Sequence, residues 1–170
     1  MQGEGKQKSM IRPAKEEDFQ EILDIYAYAR AFMKRTGNPG QWGDTHPPAE
    51  MLRQDIVKKQ LYVREAQGEL SGVFAFLMGP DITYNKIEDG SWRWDMPYGV
   101  IHRIAGRGRT PGVFSECISF CREKCPHLRI DTHFDNKVMQ HLLEKNGFER
   151  RGIIYVEDGT PRIAYDSMMR

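Results

Sequence analysis

Between Tyr98 and Lys124 the chain changes hydrophobic period within a few residues, and this change restricts the fold more than any other feature. Tyr98 to Ala105 (YGVIHRIA) reads as a strand, and the stretch from about Pro111 to Lys124 reads as a helix. Between them lies a loop of glycines and arginines: Gly106, Arg107, Gly108, Arg109, Thr110, then Pro111 and Gly112. Thr110 can cap the helix and Pro111 can take its first position. A strand running through such a loop into a helix requires a sheet with helices laid on it, which makes this an α/β chain. The loop also leaves backbone N–H groups unshielded at the positive end of a helix dipole, which suits an anion. A solvated turn with ordinary surface arginines is the alternative. A P-loop nucleotide site needs Gly-Lys-Ser/Thr at the loop's end, and TPGVF offers none.

The rest of the chain supplies the sheet. Met10 to Ala14 is a short strand candidate, followed by an amphipathic helix from Glu16 to about Lys34, with Phe19, Ile22, Leu23, Ile25, Tyr26 and Ala29 at helical spacing. RTGNPGQWGDTHPP is dense in breakers, and a second helix opens near Pro48. Leu61 to Ala66 and Leu70 to Leu77 form a hairpin across Gln67-Gly68. Gly79 to Pro97 is long and irregular, and its aromatics argue against disorder. Leu128 to Thr132 is a strand, Lys137 to Asn146 a helix stopped by Gly147, and Glu149 to Val156 with Pro161 to Tyr165 a second hairpin. The expected organisation is a flexible polar tail over residues 1–9 and one domain over 10–170.

Composition removes several classes of function. The net charge is +1 with both signs interspersed, so the basic stripe of a nucleic-acid binder is missing. No apolar run approaches the ~20 residues that span a bilayer. The start lacks the apolar stretch of a secretory signal, and a cytoplasmic location is expected. Cys117, Cys121 and Cys125 lie four apart in one helical region, a spacing that repeats a helix face. It matches neither a disulfide framework nor paired-cysteine zinc sites, and no metal is expected.

The order strand, two helices, three strands, helix, strand, helix, two strands resembles the GNAT family of acetyl-CoA-dependent N-acetyltransferases. The match is specific over Tyr98 to Tyr165: the strand–glycine loop–helix at 98–124, Asn136 opening the next helix, and NGFE at 146–149 leading into a hairpin. The resemblance implies a single-domain GNAT fold, with a mixed, mostly antiparallel sheet of about seven strands and a splayed parallel central pair flanked by helices. It implies acetyl-CoA as acetyl donor, its pyrophosphate on the loop and helix start. The family's phosphate pattern fits literally at Arg103-Ile-Ala-Gly106-Arg-Gly108, but that register puts the phosphates beside the strand. Arg109-Thr-Pro-Gly112-Val-Phe114 instead places the amides of Gly112, Val113 and Phe114 in the first turn, where no intrahelical acceptor exists. Phe114 replaces the family's last small residue, and the loop is shortened. The backbone of Ile104, Ala105 and Gly106 is expected to bond the pantetheine arm and polarise the thioester. Asn136 matches the family's cofactor-contacting asparagine and can equally serve as a helix N-cap.

The family's usual tyrosine acid, seven residues after that asparagine, is Leu143 here. Tyr155 is the substitute on the hairpin strand, or the thiolate leaves unaided. His102 is the expected general base: it shares a strand face with Val100 and Ile104 by alternation, and an imidazole titrates near working pH. Serotonin N-acetyltransferases of the same family place a catalytic histidine at the corresponding position. His133, Asp131 and Glu88 are weaker candidates. Trp42, Tyr84, Trp92 and Trp94 are expected to line an acceptor pocket, with Glu88 or Asp89 attracting a cationic amine. The expected partner is a small-molecule amine, with no nucleic acid and no membrane, and a homodimer is left open. A peptide or protein N-terminus as acceptor, or a coenzyme A-binding module without turnover, are the alternative functions.

Overall fold

A computed structural model describes residues 8–108 and 112–169 of the chain. Seven strands form one sheet: β1 (Ser9–Pro13), β2 (Leu61–Ala66), β3 (Glu69–Met78), β4 (Gly99–Gly106), β5 (His127–Thr132), β6 (Glu149–Tyr155) and β7 (Pro161–Met168). Their order is β1-β2-β3-β4-β5-β7-β6, and every neighbouring pair is antiparallel except β4 with β5. Among the described residues four α-helices cover it: α1 (Phe19–Arg35), α2 (Ala49–Val57), α3 (Val113–Lys124) and α4 (Lys137–Lys145). The expected sheet with its parallel central pair is therefore present. Of the expected tail, residues 1–7 lie outside the described residues, while Ser9 already belongs to β1.

Each face of the sheet has its own core. On one face Ile22, Ile25, Tyr26 and Ala29 of α1 and Leu52 of α2 pack on Leu61, Val63, Val73 and Ala75. On the other, Cys117, Ile118 and Cys121 of α3 and Leu143 of α4 pack on Phe74, Phe76, Ile101, Leu128 and Ile130. The cysteine spacing reflects this inward face: all three thiols are free and buried, and burial pushes Cys117 up to about 12. A third cluster joins Tyr84, Tyr98, Val100, Ile154 and Ala164. Here the long 79–97 segment covers the first face beyond the reach of α1. Trp92 packs against it, its indole N–H donating to the Tyr84 carbonyl at 2.9 Å.

Two local features place the site. β4 and β5 are paired only at Gly99↔Leu128 and Val100↔Arg129, after which they diverge while β3 and β7 hold their outer edges. The backbone groups on the facing edges therefore have no ladder partner in that gap. Second, β4 carries a bulge: its register with β3 shifts between Val73 and Ala75, and Arg103 takes a left-handed φ of 54°. Such a backbone costs a side-chain-bearing residue roughly 1–2 kcal/mol and must be held from outside. Here α1 and α2 hold it. Tyr26 donates its hydroxyl to the Arg103 carbonyl at 2.7 Å, and the Arg103 guanidinium grips Asp55 with two bonds of 3.0 Å.

The bulge corrects one expectation. Val100, His102 and Ile104 do not share a face, because the extra residue reverses the alternation after His102. Val100 packs in the cluster under the 79–97 segment, whereas Ile104 packs with the α3 side.

Candidate active site

Two cavities open along the gap between β4 and β5. The larger, about 440 Å³, is lined by His102, Ile104, Asp131, Trp42, Asp81 and Arg162 among others. The second, about 290 Å³, runs between α1 and the N-terminal ends of α3 and α4 and is more apolar, with Tyr28, Phe32, Val113 and Leu142 in its walls. Ile104, Asn136, Met33 and Met139 line both, so the two cavities meet beside the bulge.

The small cavity contains most of the residues expected to hold a cofactor. Ile104, Ala105 and Gly106 border it from β4, and Gly108, Gly112, Val113 and Phe114 from the loop and first turn of α3. Gly112 occupies the N-cap position of α3 with a left-handed φ of 79°, so the helix starts later than the expected Pro111. Nothing lies within 4 Å of where a Gly112 side chain would begin. The amides of Val113 and Phe114 belong to the open first turn, as the second register requires. Arg107 donates to the Glu21 carbonyl at 3.4 Å and lines neither cavity. Arg109, Thr110 and Pro111 lie outside the described residues. Asn136 borders both cavities and is already committed on two sides. Its Oδ1 caps α4 by accepting from the Met139 N–H at 3.0 Å, and its Nδ2 donates to Gln41 at 3.0 Å.

The large cavity holds the titratable groups. His102 Nε2 lies 2.9 Å from Asp81 Oδ2. Asp81 is pulled down to about 2, first by the His102 bond, with further bonds from the Thr83 backbone and hydroxyl, while burial opposes the shift. At neutral pH this carboxylate can only accept, so the neutral imidazole carries its proton on Nε2 and keeps Nδ1 as acceptor. Nδ1 makes no hydrogen bond among the described residues. Tyr84 is buried and donates its hydroxyl to Asp131 Oδ2 at 2.7 Å. Burial raises both the Asp131 carboxyl and the Tyr84 phenol above their ordinary values.

Other expected site residues stand apart from both cavities. Tyr155, on the edge strand β6, is 43% exposed, and the neighbouring Glu88 raises its hydroxyl's pKa. Glu88 itself bridges Ile153 through its backbone and faces Lys86 at 3.4 Å. Trp92 stacks on Arg129, and Trp94 packs edge-on to His127. Trp42 alone of the four expected aromatics lines the large cavity, where it meets Tyr26 edge-on; Tyr84 touches the cavity's lining through its bond to Asp131. Leu143 is fully buried, so no acid stands at the family's usual tyrosine position. Asp81 was not anticipated. Its sequence signal is the D-x-T turn directly after Gly79-Pro80, an Asx cap that reads as loop chemistry.

No family sequence model and no curated protein matches the chain. Solved structures do. A GNAT-family acetyltransferase of Streptococcus agalactiae is 30% identical over 95% of this chain and 96% of its own, with a TM-score of 0.85. The chain belongs to the GNAT family of acetyltransferases. A GNAT-family acetyltransferase of Listeria monocytogenes shares the fold at 18% identity, with 97% of each chain covered and a TM-score of 0.70. So does a Salmonella typhimurium structure solved with its cofactor acetyl-CoA, at 14% identity over 95% and 94% of the two chains and a TM-score of 0.63. In this acetyltransferase, no helix among the described residues is long and apolar enough to cross a membrane.

Proposed function

We propose that this acetyltransferase moves the acetyl group of acetyl-CoA directly onto the primary amine of a small molecule, with His102 as general base. The observation that carries the reading is the junction of the two cavities beside the bulge of β4, with the imidazole of His102 lining the larger one. The smaller cavity fits coenzyme A: apolar walls suit a pantetheine arm, and the glycine loop and first turn of α3 present amides at a helix N-terminus to its phosphates. Acetyl-CoA supplies the activated acetyl thioester.

The chain's own groups do the rest. The unpaired edge of β4 at Ile104 to Gly106 offers backbone N–H groups toward the thioester oxygen, where donors act on charge that develops in the transition state. Asp81 fixes His102 with Nδ1 as acceptor, so the ring can take a proton from the ammonium or from the attacking nitrogen. The resulting imidazolium then lies against a carboxylate. Asp131 adds negative charge to the same cavity and favours an amine there. The thiolate leaves without a tyrosine acid, which thiol acidity permits. Three free buried thiols suit a reducing cytoplasm.

The test is an amine panel with acetyl-CoA and detection of released thiol, on wild type and His102→Ala. The variant is expected to lose ~10²–10⁴ in rate while keeping its affinity for acetyl-CoA, since the cofactor's bonds come from backbone rather than from this ring. Near-normal turnover would remove His102 as base. Acetylation confined to peptides would replace the small amine, and cofactor binding without any turnover would leave a binding module.

A further inference from the structure

Arg162 is a cation of the large cavity that no carboxylate contacts directly among the described residues. It lies on β7, is 7% exposed and lines the same cavity as His102 and Asp131. Arg103 is paired with Asp55 and Asp81 with His102, while Asp131 accepts a hydrogen bond from the Tyr84 hydroxyl. At the β6–β7 turn, Asp158 is bonded by the Thr160 backbone and hydroxyl, beside Glu157, and the charge of Arg162 reaches it without direct contact. Arg162 makes no ion pair among the described residues. Its Nη1 donates to Thr160 Oγ1 and the Pro161 carbonyl, both at 2.9 Å, and its Nε and Nη2 make no hydrogen bond among the described residues. A guanidinium has five donors in a planar fork that fits a carboxylate through two parallel bonds. A buried cation without a direct partner is costly, and a ligand carboxylate would supply that partner.

Its placement decides what that ligand is. Asp131 pairs with Ala164, so Arg162, two residues before Ala164, shares that face of the sheet. The charge of Arg162 reaches Asp131, lowering its carboxyl against the effect of burial, and it reaches His46 and His133. The cavity thus presents His102 and carboxylates at the β4–β5 gap and, across β5, a guanidinium whose remaining donors no carboxylate engages directly among the described residues.

We propose that the acceptor is an amino-carboxylate, its amine at His102 and its carboxylate on Arg162. This rests on the large cavity being the acceptor site. It separates free amino acids and their ω-amino analogues from protein N-termini, whose first residue has no free α-carboxylate. The experiment offers each common α-amino acid and short ω-amino acid beside its carboxamide, at saturating acetyl-CoA, to wild type, R162Q and R162K. Coenzyme A binding is measured in parallel by calorimetry. Wild type is expected to favour the carboxylate member of at least one pair by about 10- to 100-fold in kcat/KM. R162Q should collapse that ratio toward one, and R162K should keep part of it because it retains the charge without the fork. If R162Q does not fold, the wild-type ratio and R162K decide. Amides accepted as well as carboxylates, a ratio unchanged in R162Q, or coenzyme A binding with no member of the panel acetylated would each overturn the inference alone. Absence of coenzyme A binding would overturn the acetyl-transfer reading, and the inference with it.

Discussion

Asp81→Asn separates the role assigned to the carboxylate from a purely structural one. Asparagine keeps an oxygen for the Thr83 backbone and hydroxyl, so the turn after β3 retains its cap. What it removes is the charge 2.9 Å from His102 Nε2. The fall of Asp81 from 3.8 to about 2 corresponds to about 2.4 kcal/mol at 1.36 kcal/mol per tenfold change. Part of this comes from the Thr83 bonds that asparagine retains, and the pair is partly exposed, so losing the charge beside His102 costs about 1–2 kcal/mol. The sign is that of a depressed acid. The stabilisation is complete above the unfolded value near 3.8 and is lost as pH falls through about 2. At pH 7 the variant should therefore melt about 2–8 °C lower, and the gap should close in acid.

The same energy bears on the rate, because the imidazolium formed on proton transfer loses its counter-charge and the ring its fixed tautomer. kcat/KM for the amine should fall about 5- to 30-fold at neutral pH. Affinity for coenzyme A, measured by calorimetry, should stay at its wild-type value, since Asp81 does not line the smaller cavity. A variant that melts lower yet keeps kcat/KM within twofold of wild type would reduce Asp81 to a fastener of the 79–97 segment. The base would then owe nothing to its partner.

Three further outcomes follow from the geometry. Gly112→Asp should fold, at a cost of about 1–2 kcal/mol for its left-handed backbone, and should weaken coenzyme A at least about tenfold by placing an anion at the mouth of α3; unchanged affinity by calorimetry would take the loop out of the site. Tyr155→Phe should leave kcat near wild type, whereas loss of a true general acid would cost ~10²–10⁴. Gly99→Ala would put a methyl 2.6 Å from Phe76 Cε2 and 3.1 Å from Leu128 Cδ2 at the start of the β4–β5 pairing. Overpacking there should cost about 1–3 kcal/mol, read as a lower Tm, and an unchanged Tm would mean that Phe76 swings aside.

The elements of this fold were legible because they are written in local pattern. Helical spacing of Ile22, Ile25, Tyr26 and Ala29 marks α1, and each of those side chains is buried against the sheet. The Gln67-Gly68 turn fixes the β2–β3 hairpin, both residues adopting left-handed φ of 55° and 75°. The acceptor site was less legible because aromatic content does not say which way a ring points. Trp92 and Trp94 signal an ordered loop, and they order it by packing on Arg129 and His127 rather than by facing a substrate. Arg162 carries no motif, and the D-x-T cap of Asp81 reads only as loop chemistry; the strands and turn that bring them to one cavity make them visible.

The bulge of β4 shows most clearly where local reading stops. Strict alternation along VIHRIA places His102 and Ile104 together, and no residue in that run announces an exception: Arg103 is neither glycine nor asparagine. The exception is made by distant partners, the Tyr26 hydroxyl on the Arg103 carbonyl and Asp55 on its guanidinium, which come from α1 and α2. Those contacts hold a backbone that the local sequence disfavours. The bulge then leaves His102 lining the larger cavity, the proposed acceptor site, and Ile104 bordering both cavities, while β4 diverges from β5. One strand can thus present the proposed base to an acceptor and backbone amides to the donor, two tasks that regular alternation would not place side by side along the same gap.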